Sequence, residues 1–230
     1  MPPNVVILAA GLGSRLAKPF PKPLTPLHGT GTSIMQQQID HLGAVFPGIT
    51  PCVVVGFKKD LIMESFPNSL YVYNEDYADT NTSKSLLKAL RMSPPGGVLW
   101  LNGDVVFERG VLELIRPLVE DDQSAVCVDH AAVGEEEVKY TVDEEGFIAE
   151  LSKAVVDALG EAVGINFVSS TDKPALIDHL EACDDTDYFE RGMELAITTD
   201  KMRFRPIDIS AFGCVEVDFA ADLHRAEGLF

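Results

Sequence analysis

A glycine-containing loop and two cations follow the first apolar run of the chain. The loop reads GLGSR over residues 11–15, and Lys22 stands between two prolines a few residues later. Small residues let the backbone approach a ligand closely and leave N–H groups free to point at phosphate oxygens. Arg15 adds a planar guanidinium and Lys22 a compact point charge. The loop lacks the third glycine of dinucleotide loops and the Gly-Lys-Ser/Thr of P-loops, so it predicts binding of a nucleoside triphosphate by another kind of loop.

Three carboxylates are spaced to bind a hard cation. Asp104 follows the apolar run at residues 98–101, and open α/β sheets bind ligands where their strands end. Glu216 and Asp218 are two residues apart, so both point to one side of an extended strand. The spacing predicts a metal site formed by Asp104 and Asp218, with Glu216 in support. Two alternatives are open: Glu216 on the polar face of a half-buried strand, and Asp218 as the cap of the last helix.

Short apolar runs alternate with segments of helical periodicity in the first half of the chain. This alternation predicts strands over residues 4–9, 51–55, 70–73 and 98–101, with helices from about residue 33 to 46 and over residues 60–66, 83–91 and 111–119. In the second half, strands over residues 125–129, 138–142 and 147–151 form a predicted meander. Helices over residues 173–183, 188–198 and 220–227 and strands over residues 203–207 and 213–217 complete the chain.

The expected fold class is α/β. The pattern predicts a single-domain, Rossmann-like three-layer α/β/α sandwich with a mixed, mostly parallel sheet and a small β-meander. One domain is expected over residues 1–230, with a nucleotide-binding half at residues 1–123. The half at residues 124–230 is expected to complete the metal site and to bind the acceptor, which is the second substrate that receives a group from the nucleotide.

The chain is strongly acidic. It has 230 residues, 18 of them Lys or Arg and 36 Asp or Glu, which gives a formal net charge of −18. Such a field repels nucleic acids and anionic membrane surfaces, so neither is an expected partner. It also repels a triphosphate, so the binding of a triphosphate requires local cations and a divalent metal. The four cysteines lack C-x-x-C spacing, which predicts reduced thiols. Neither a basic leader nor an apolar run of membrane-spanning length is apparent, so a cytoplasmic protein is expected.

Five motifs distributed over nearly the whole chain resemble a known family. They are residues 8–15 with Pro21-Lys22-Pro23-Leu24, residues 74–82 with Ser85, Asn102-Gly103-Asp104, Ser152-Lys153, and Val215-Glu216-Val217-Asp218. In these motifs the sequence resembles the nucleotidyltransferases that condense a nucleoside triphosphate with a phosphorylated small molecule. The middle motif and the short loop look most like the cytidylyltransferases that act on phosphocholine or on phosphonates.

The resemblance implies a substrate set and a role for each motif. It implies CTP as the nucleotide, Mg²⁺ as the metal, pyrophosphate as the leaving group, and small molecules as the partners. Arg15 and Lys22 are the expected catalytic cations on the triphosphate, and Lys153 is the expected cation at the acceptor's phosphate. The expected nucleotide contacts are Leu8, Ala9, Ala10, Gly11, Gly13, Ser14, Asn81, Thr82, Ser85, Asn102 and Gly103. The expected acceptor contacts are Asp129, Glu137, Tyr188 and Glu190.

Several alternatives remain open at this point. Asn81, Thr82 and Ser85 could only cap a helix, Lys153 could be a solvated lysine, and the acidic run at residues 135–137 could be a solvated surface. Few aromatic residues are available to enclose a quaternary ammonium, which favours a phosphonate such as 2-aminoethylphosphonate over phosphocholine. Alternative functions are a sugar- or polyol-phosphate nucleotidyltransferase using UTP, dTTP or GTP, and a non-catalytic nucleotide-binding regulatory subunit. A homodimer is also left open.

Overall fold

The computed structural model describes residues 3–13, 16, 18–27, 31–130 and 137–229. Its strands are β1 (Asn4–Ala9), β2 (Pro26–Leu27), β3 (Thr32–Ser33), β4 (Cys52–Val55), β5 (Leu70–Tyr73), β6 (Val98–Asn102), β7 (Val105–Phe107), β8 (Ala125–Asp129), β9 (Lys139–Val142), β10 (Ile148–Ser152), β11 (Gly160–Val168), β12 (Arg205–Asp208) and β13 (Cys214–Glu216). Its helices are α1 (Ile34–Val45), α2 (Lys59–Ser65), α3 (Thr82–Met92), α4 (Gly110–Glu120), α5 (Lys173–Ala182), α6 (Phe189–Asp200) and α7 (Ala220–Glu227), with a 3₁₀ turn at Lys22–Leu24.

The central sheet is mixed, as predicted. Strands β5, β4, β1 and β6 lie side by side and are parallel. Strand β11 then pairs antiparallel with β6, β8 and β9. The parallel and antiparallel portions therefore form one continuous sheet, which extends across the predicted division at residue 123.

Helices cover both faces of this sheet because β1 is apolar on both sides. Val5 and Ile7 pack in one buried cluster with residues of α1, α2 and α4. Val6 and Leu8 face the opposite way and pack in a second cluster with residues of α3, α5 and α6. Successive residues of a strand point to opposite faces, so this alternation confirms the predicted three-layer α/β/α architecture.

The local boundaries of the predicted elements are largely confirmed. Helix α1 begins after Ser33, whose Oγ accepts a hydrogen bond from the Gln36 N–H at 3.2 Å, as expected of an N-cap. The other predicted helices and strands begin and end within two residues of the expected positions. Strands β9 and β10 form an antiparallel hairpin, but β8 pairs with β11 and β12 rather than joining them in a three-stranded meander.

The sequence analysis missed β11, which is the strand that joins the two portions of the sheet. Two glycines interrupt its apolar pattern, and each is required by a close approach. A Cβ at Gly160 would lie 2.0 Å from the backbone oxygen of Asp129. Gly164 has φ +72 and a Cβ there would lie 2.6 Å from Asn102 Nδ2. Strand β7 and the short pair β2 and β3 were also not predicted.

Three backbone segments meet at the carboxyl ends of β1 and β6. The register pairs Leu8 with Asn102, and the Gly103 N–H donates to the Leu8 carbonyl at 2.9 Å. Beyond β13, the Val217 N–H donates to the Asp104 carbonyl at 3.0 Å. The end of β1, the turn after β6 and the segment after β13 are thereby held at one edge of the sheet, where ligands bind in open α/β folds.

Candidate active site

A cleft of about 730 Å³ opens at this edge of the sheet. Most of the described residues that the sequence analysis selected line it. They are Leu8, Ala9, Gly11, Gly13, Lys22, Asn81, Thr82, Asn102, Gly103, Asp104, Glu137, Lys153, Tyr188, Glu190, Glu216 and Asp218. The structure therefore brings the predicted nucleotide, metal and acceptor residues to one continuous cavity.

Lys22 lies between two carboxylates in this cleft. Pro21 precedes the 3₁₀ turn and Pro23 is buried within it, which fixes the start of the Lys22 side chain. Lys22 Nζ is 2.8 Å from Asp104 Oδ2 and 2.6 Å from Asp218 Oδ1, and its side chain is only 11% exposed. Burial by itself would lower the pKa of Lys22, but the two carboxylates outweigh burial and raise it above its ordinary value. Lys22 is therefore a permanently charged group at the edge of the sheet.

The predicted carboxylate trio is assembled. Asp104, Glu216 and Asp218 each offer an oxygen, and these three oxygens lie within 4.8 Å of one another. The charge of Asp104, then burial, then the charge of Asp218 raise the pKa of Glu216 well above its usual value. The two aspartates therefore disfavour a third negative charge on Glu216, and a cation bound beside these oxygens would favour its charged form.

These carboxylates fit the Mg²⁺ that the sequence analysis expects. Mg²⁺ prefers oxygen ligands and is commonly held by one or two carboxylates together with substrate phosphates. Asp104 and Asp218 would hold it, with Glu216 beside them. Because Lys22 Nζ already lies against the same two aspartates, Lys22 and a bound metal ion would compete for these oxygens.

The loop after β1 approaches Lys22. Gly13 has φ +60, and a Cβ there would lie 3.3 Å from Lys22 Cβ, so only glycine fits this turn without strain. Gly11 also lines the cleft, whereas Ala10 is buried and its carbonyl accepts a hydrogen bond from the Phe57 N–H at 3.1 Å. Ser14 and Arg15 lie outside the described residues, so their predicted phosphate contacts stay predictions.

The turn after β6 forms the floor of the cleft. A Cβ at Gly103 would lie 2.6 Å from the Leu8 carbonyl oxygen, so the turn packs directly onto β1. Gln38 Nε2 donates to the carbonyls of Asn102 at 2.9 Å and Val105 at 2.7 Å, which holds this turn from below. Asn102 Oδ1 is buried and has no hydrogen-bond partner within the described part of the chain. These contacts fix the backbone on which Asp104 is presented.

The start of α3 forms another wall. Asn81 is its N-cap, and its Oδ1 accepts from the Thr82 N–H at 2.8 Å, so the residue that caps α3 is Asn81 and not Thr82. Thr82 Oγ1 accepts from the Phe189 N–H at 3.0 Å and so links α3 to α6. Ser85 is buried, accepts a hydrogen bond from Asn74 Nδ2 at 3.0 Å, and does not line the cleft.

The far end of the cleft contains charges of both signs. Lys153 Nζ lies 4.7 Å from the centre of the Tyr188 ring, within the range of a cation–π contact. Glu190 is the second residue of α6 and is only 8% exposed. Burial raises the pKa of Glu190 to about 7, and nearby Lys153 opposes that rise only in part.

Not every acidic residue considered for the acceptor site lies in the cleft or within the described residues. Asp129 does not line the cleft; it ends β8, where its register partner is Glu161. Burial, followed by the charges of Glu137 and Asp129, raises the pKa of Glu161 to about 7. Residues 135 and 136 of the acidic run lie outside the described residues, and Glu137 lines the cleft.

Helix α7 contributes residues that the sequence analysis missed. Asp222 Oδ2 accepts from the backbone N–H groups of Asp218 at 3.0 Å and Phe219 at 2.7 Å, and Asp222 Oδ1 accepts from Arg225 at 2.8 Å. Asp222 and Arg225 both line the cleft. An acid four residues after Asp218 at a helix start was a local signal for capping, but only the tertiary pairing of β13 with β7 directs this helix to the cleft.

Comparison with solved structures shows that the fold is shared. The inositol-1-phosphate CTP transferase from T. maritima superposes with a TM-score of 0.78 at 15% identity, covering 98% of this chain and 95% of the other. The CTP:phosphocholine cytidylyltransferase from Streptococcus pneumoniae gives a TM-score of 0.77 at 18% identity, covering 99% of both chains. At sequence identities this low, the superpositions establish a common architecture alone.

Comparison with curated proteins finds relatives by sequence. The CMP-5'-(3-aminopropyl)phosphonate synthase from Streptomyces rubellomurinus is 30% identical over 259 aligned positions, which include all of this chain. The chain spans 39% of the length of that relative. The 2-aminoethylphosphonate cytidylyltransferase from Lancefieldella rimae is 27% identical over 180 positions, covering 75% of this chain and 70% of the relative.

A family model extends over most of the cleft-forming elements. Residues 5–186 match the MobA-like NTP transferase domain, from β1 through α5. Within the described ranges, none of the helices has both the length and the apolar character needed to cross a bilayer. The motif residues, the shared architecture and this match agree, and the chain belongs to the MobA-like NTP transferase domain family.

Proposed function

We propose that this protein transfers a cytidylyl group from CTP to a small phosphonate acceptor and releases pyrophosphate. The observation that carries the proposal is the Lys22 ammonium, held 2.8 Å from Asp104 and 2.6 Å from Asp218 beneath the glycine loop. Two curated relatives named for CMP–phosphonate chemistry support the nucleotide and the acceptor class.

The proposed reaction is an in-line displacement at the α-phosphorus. An acceptor phosphonate oxygen attacks this phosphorus and forms a new P–O bond, while the bond to the bridging oxygen breaks and its electron pair leaves with pyrophosphate. The attacking oxygen already carries negative charge near neutral pH, so no general base is needed. The task of the protein is to hold two anions together and to neutralise the charge that accumulates.

Each wall of the cleft has a part in this task. Residues 1–123 supply the nucleotide side: the loop after β1, Lys22, and the start of α3. Lys22 stabilises negative charge on the α-phosphate, and backbone N–H groups of the loop contact the other phosphates. Residues 124–230 supply Lys153 for the acceptor and Asp218 to complete the metal ligands. Bound Mg²⁺ would add positive charge to the phosphate oxygens.

A matrix of nucleotides and acceptors tests the proposal. CTP, UTP, dTTP and GTP are each combined with 2-aminoethylphosphonate, 3-aminopropylphosphonate, phosphocholine and a sugar 1-phosphate, with MgCl₂, and pyrophosphate release is measured. We expect turnover to be fastest with CTP and an aminoalkylphosphonate. Fastest turnover with a sugar phosphate and another nucleotide would replace the proposed activity. Nucleotide binding without pyrophosphate release from any acceptor would favour a regulatory subunit.

A further inference from the structure

Glu190 is a buried carboxyl group with one oxygen that is unpaired among the described residues. The residue is 8% exposed, yet it lines the acceptor end of the cleft. Its Oε2 atom has no hydrogen-bond partner among the residues that the structure describes. Burying an ionisable group without a partner costs free energy, so this oxygen calls for an explanation, and a ligand that donates a hydrogen bond to it would supply one.

The chemistry of this oxygen selects the complementary ligand group. A carboxylate oxygen accepts hydrogen bonds, and an ammonium group offers three donors together with a positive charge. A phosphate would be repelled by a charged Glu190, and a sugar ring would bring hydroxyl donors but no positive charge. The pKa of Glu190, raised to about 7 by burial, fits the same view, because a bound cation would restore the charged form.

The residues near Glu190 indicate which other group this ligand carries. Tyr188 precedes it by two residues, and the Lys153 ammonium lies 4.7 Å from the centre of the Tyr188 ring. Lys153 is also the charged group whose field reaches Glu190. A cation and an anion close together at one end of a cleft match a short zwitterion, with a phosphonate toward Lys153 and an ammonium toward Glu190.

We propose that Glu190 is the specificity-determining residue that recognises a primary ammonium group on the phosphonate acceptor. The inference rests on the proposed function and adds to it the residue that binds the ammonium group of the acceptor. It also accounts for the placement of a charged residue in the buried second position of α6.

Matched acceptors that differ only in the amine test this role. The full chain is assayed with CTP and either 3-aminopropylphosphonate or propylphosphonate. Because a hydrogen bond to a charged group contributes a factor of about 10 to 100, the wild type should prefer the amine by that factor in kcat/KM. Glu190→Gln should remove the preference by raising KM for the amino acceptor, with KM for CTP unchanged. The control is Glu194→Gln, an acid one turn further along α6 that pairs with Arg191 and does not line the cleft.

The outcomes separate this inference from the proposed function. Turnover by the wild type without a preference for the amine, or an unchanged preference in Glu190→Gln, overturns the role of Glu190 alone. No turnover with CTP and any phosphonate overturns the proposed function. Glu190→Gln removes a buried charge, so its melting temperature at pH 8 should equal or exceed that of the wild type. If that variant does not fold, Glu190→Asp replaces it, and its amine preference must then fall below that of the wild type.

Discussion

Replacing Lys22 with methionine keeps a side chain of similar length and removes its charge. Lys22 is 11% exposed and contacts both Asp104 and Asp218, whose side chains are 22% and 25% exposed. Breaking a fully buried ion pair costs about 3–5 kcal/mol, and the partial exposure of both aspartates reduces this loss to about 1–3 kcal/mol. In a domain of this size each kcal/mol lowers the melting temperature by about 2–4 °C.

The same variant should respond more strongly to Mg²⁺. Without Lys22, the carboxylates of Asp104 and Asp218 lose the ammonium group that contacts both of them, so the metal should bind more tightly in the absence of nucleotide. A ligand that binds only the folded state raises its stability, so MgCl₂ should raise the melting temperature of Lys22→Met more than that of the wild type. The raised pKa of Lys22 means that its own contribution to stability is present below pH 10.5 and is lost only as the pH rises beyond that value.

Turnover provides the second readout. Removing one preorganised donor at a developing anion costs on the order of 10² to 10³ in kcat, so Lys22→Met should lose that much in pyrophosphate release. Lys18→Met is the matched control, since Lys18 is exposed and is not among the described residues that line the cleft. Retention of most activity by Lys22→Met, together with an Mg²⁺ response equal to that of the wild type, would refute the assignment.

Three further predictions concern other parts of the cleft. Asp104→Asn should raise the MgCl₂ concentration for half-maximal pyrophosphate release by on the order of tenfold; an unchanged titration would show that Asp104 is not a ligand. Gly164→Ala should lose about 2–4 kcal/mol in denaturant unfolding, because φ is +72 and the new Cβ meets Asn102. Gly146→Ala, with φ +82 in open space, should lose only about 1 kcal/mol, and equal losses would argue against the contact. Finally, the preference for an amino acceptor should increase as the pH rises through about 7, where Glu190 ionises, and this dependence should vanish in Glu190→Gln.

Local patterns in the sequence were sufficient for the parts of the site that depend on neighbouring residues. The two-residue spacing of Glu216 and Asp218 predicted that both acids point to one side of a strand, and the end of the 98–101 run predicted that Asp104 lies at the sheet edge. An oxygen from each of the three acids lies within 4.8 Å of the others, while the cation they are expected to bind stays a prediction. Strand β11 escaped prediction because the reasons for its glycines lie elsewhere: Gly164 is required by Asn102, which is distant in the sequence. The position of α7 beside the cleft likewise depends on the pairing of β13 with β7. No local sequence pattern predicts that pairing.

The balance of charge in the cleft constrains what can enter it. Among the described residues that line it, the acids are Asp104, Glu137, Glu190, Glu216, Asp218 and Asp222, and the cations are Lys22, Lys153 and Arg225. In a chain with net charge −18, free triphosphate meets a repulsive field on approach and a further excess of acids inside. A triphosphate that carries its own divalent cation is repelled far less, and an acceptor that carries its own ammonium is repelled less than a bare phosphonate. If the proposed function and the proposed role of Glu190 hold, the acidic surface would act together with Glu190 to favour a metal-bound nucleotide and a zwitterionic acceptor over simpler anions.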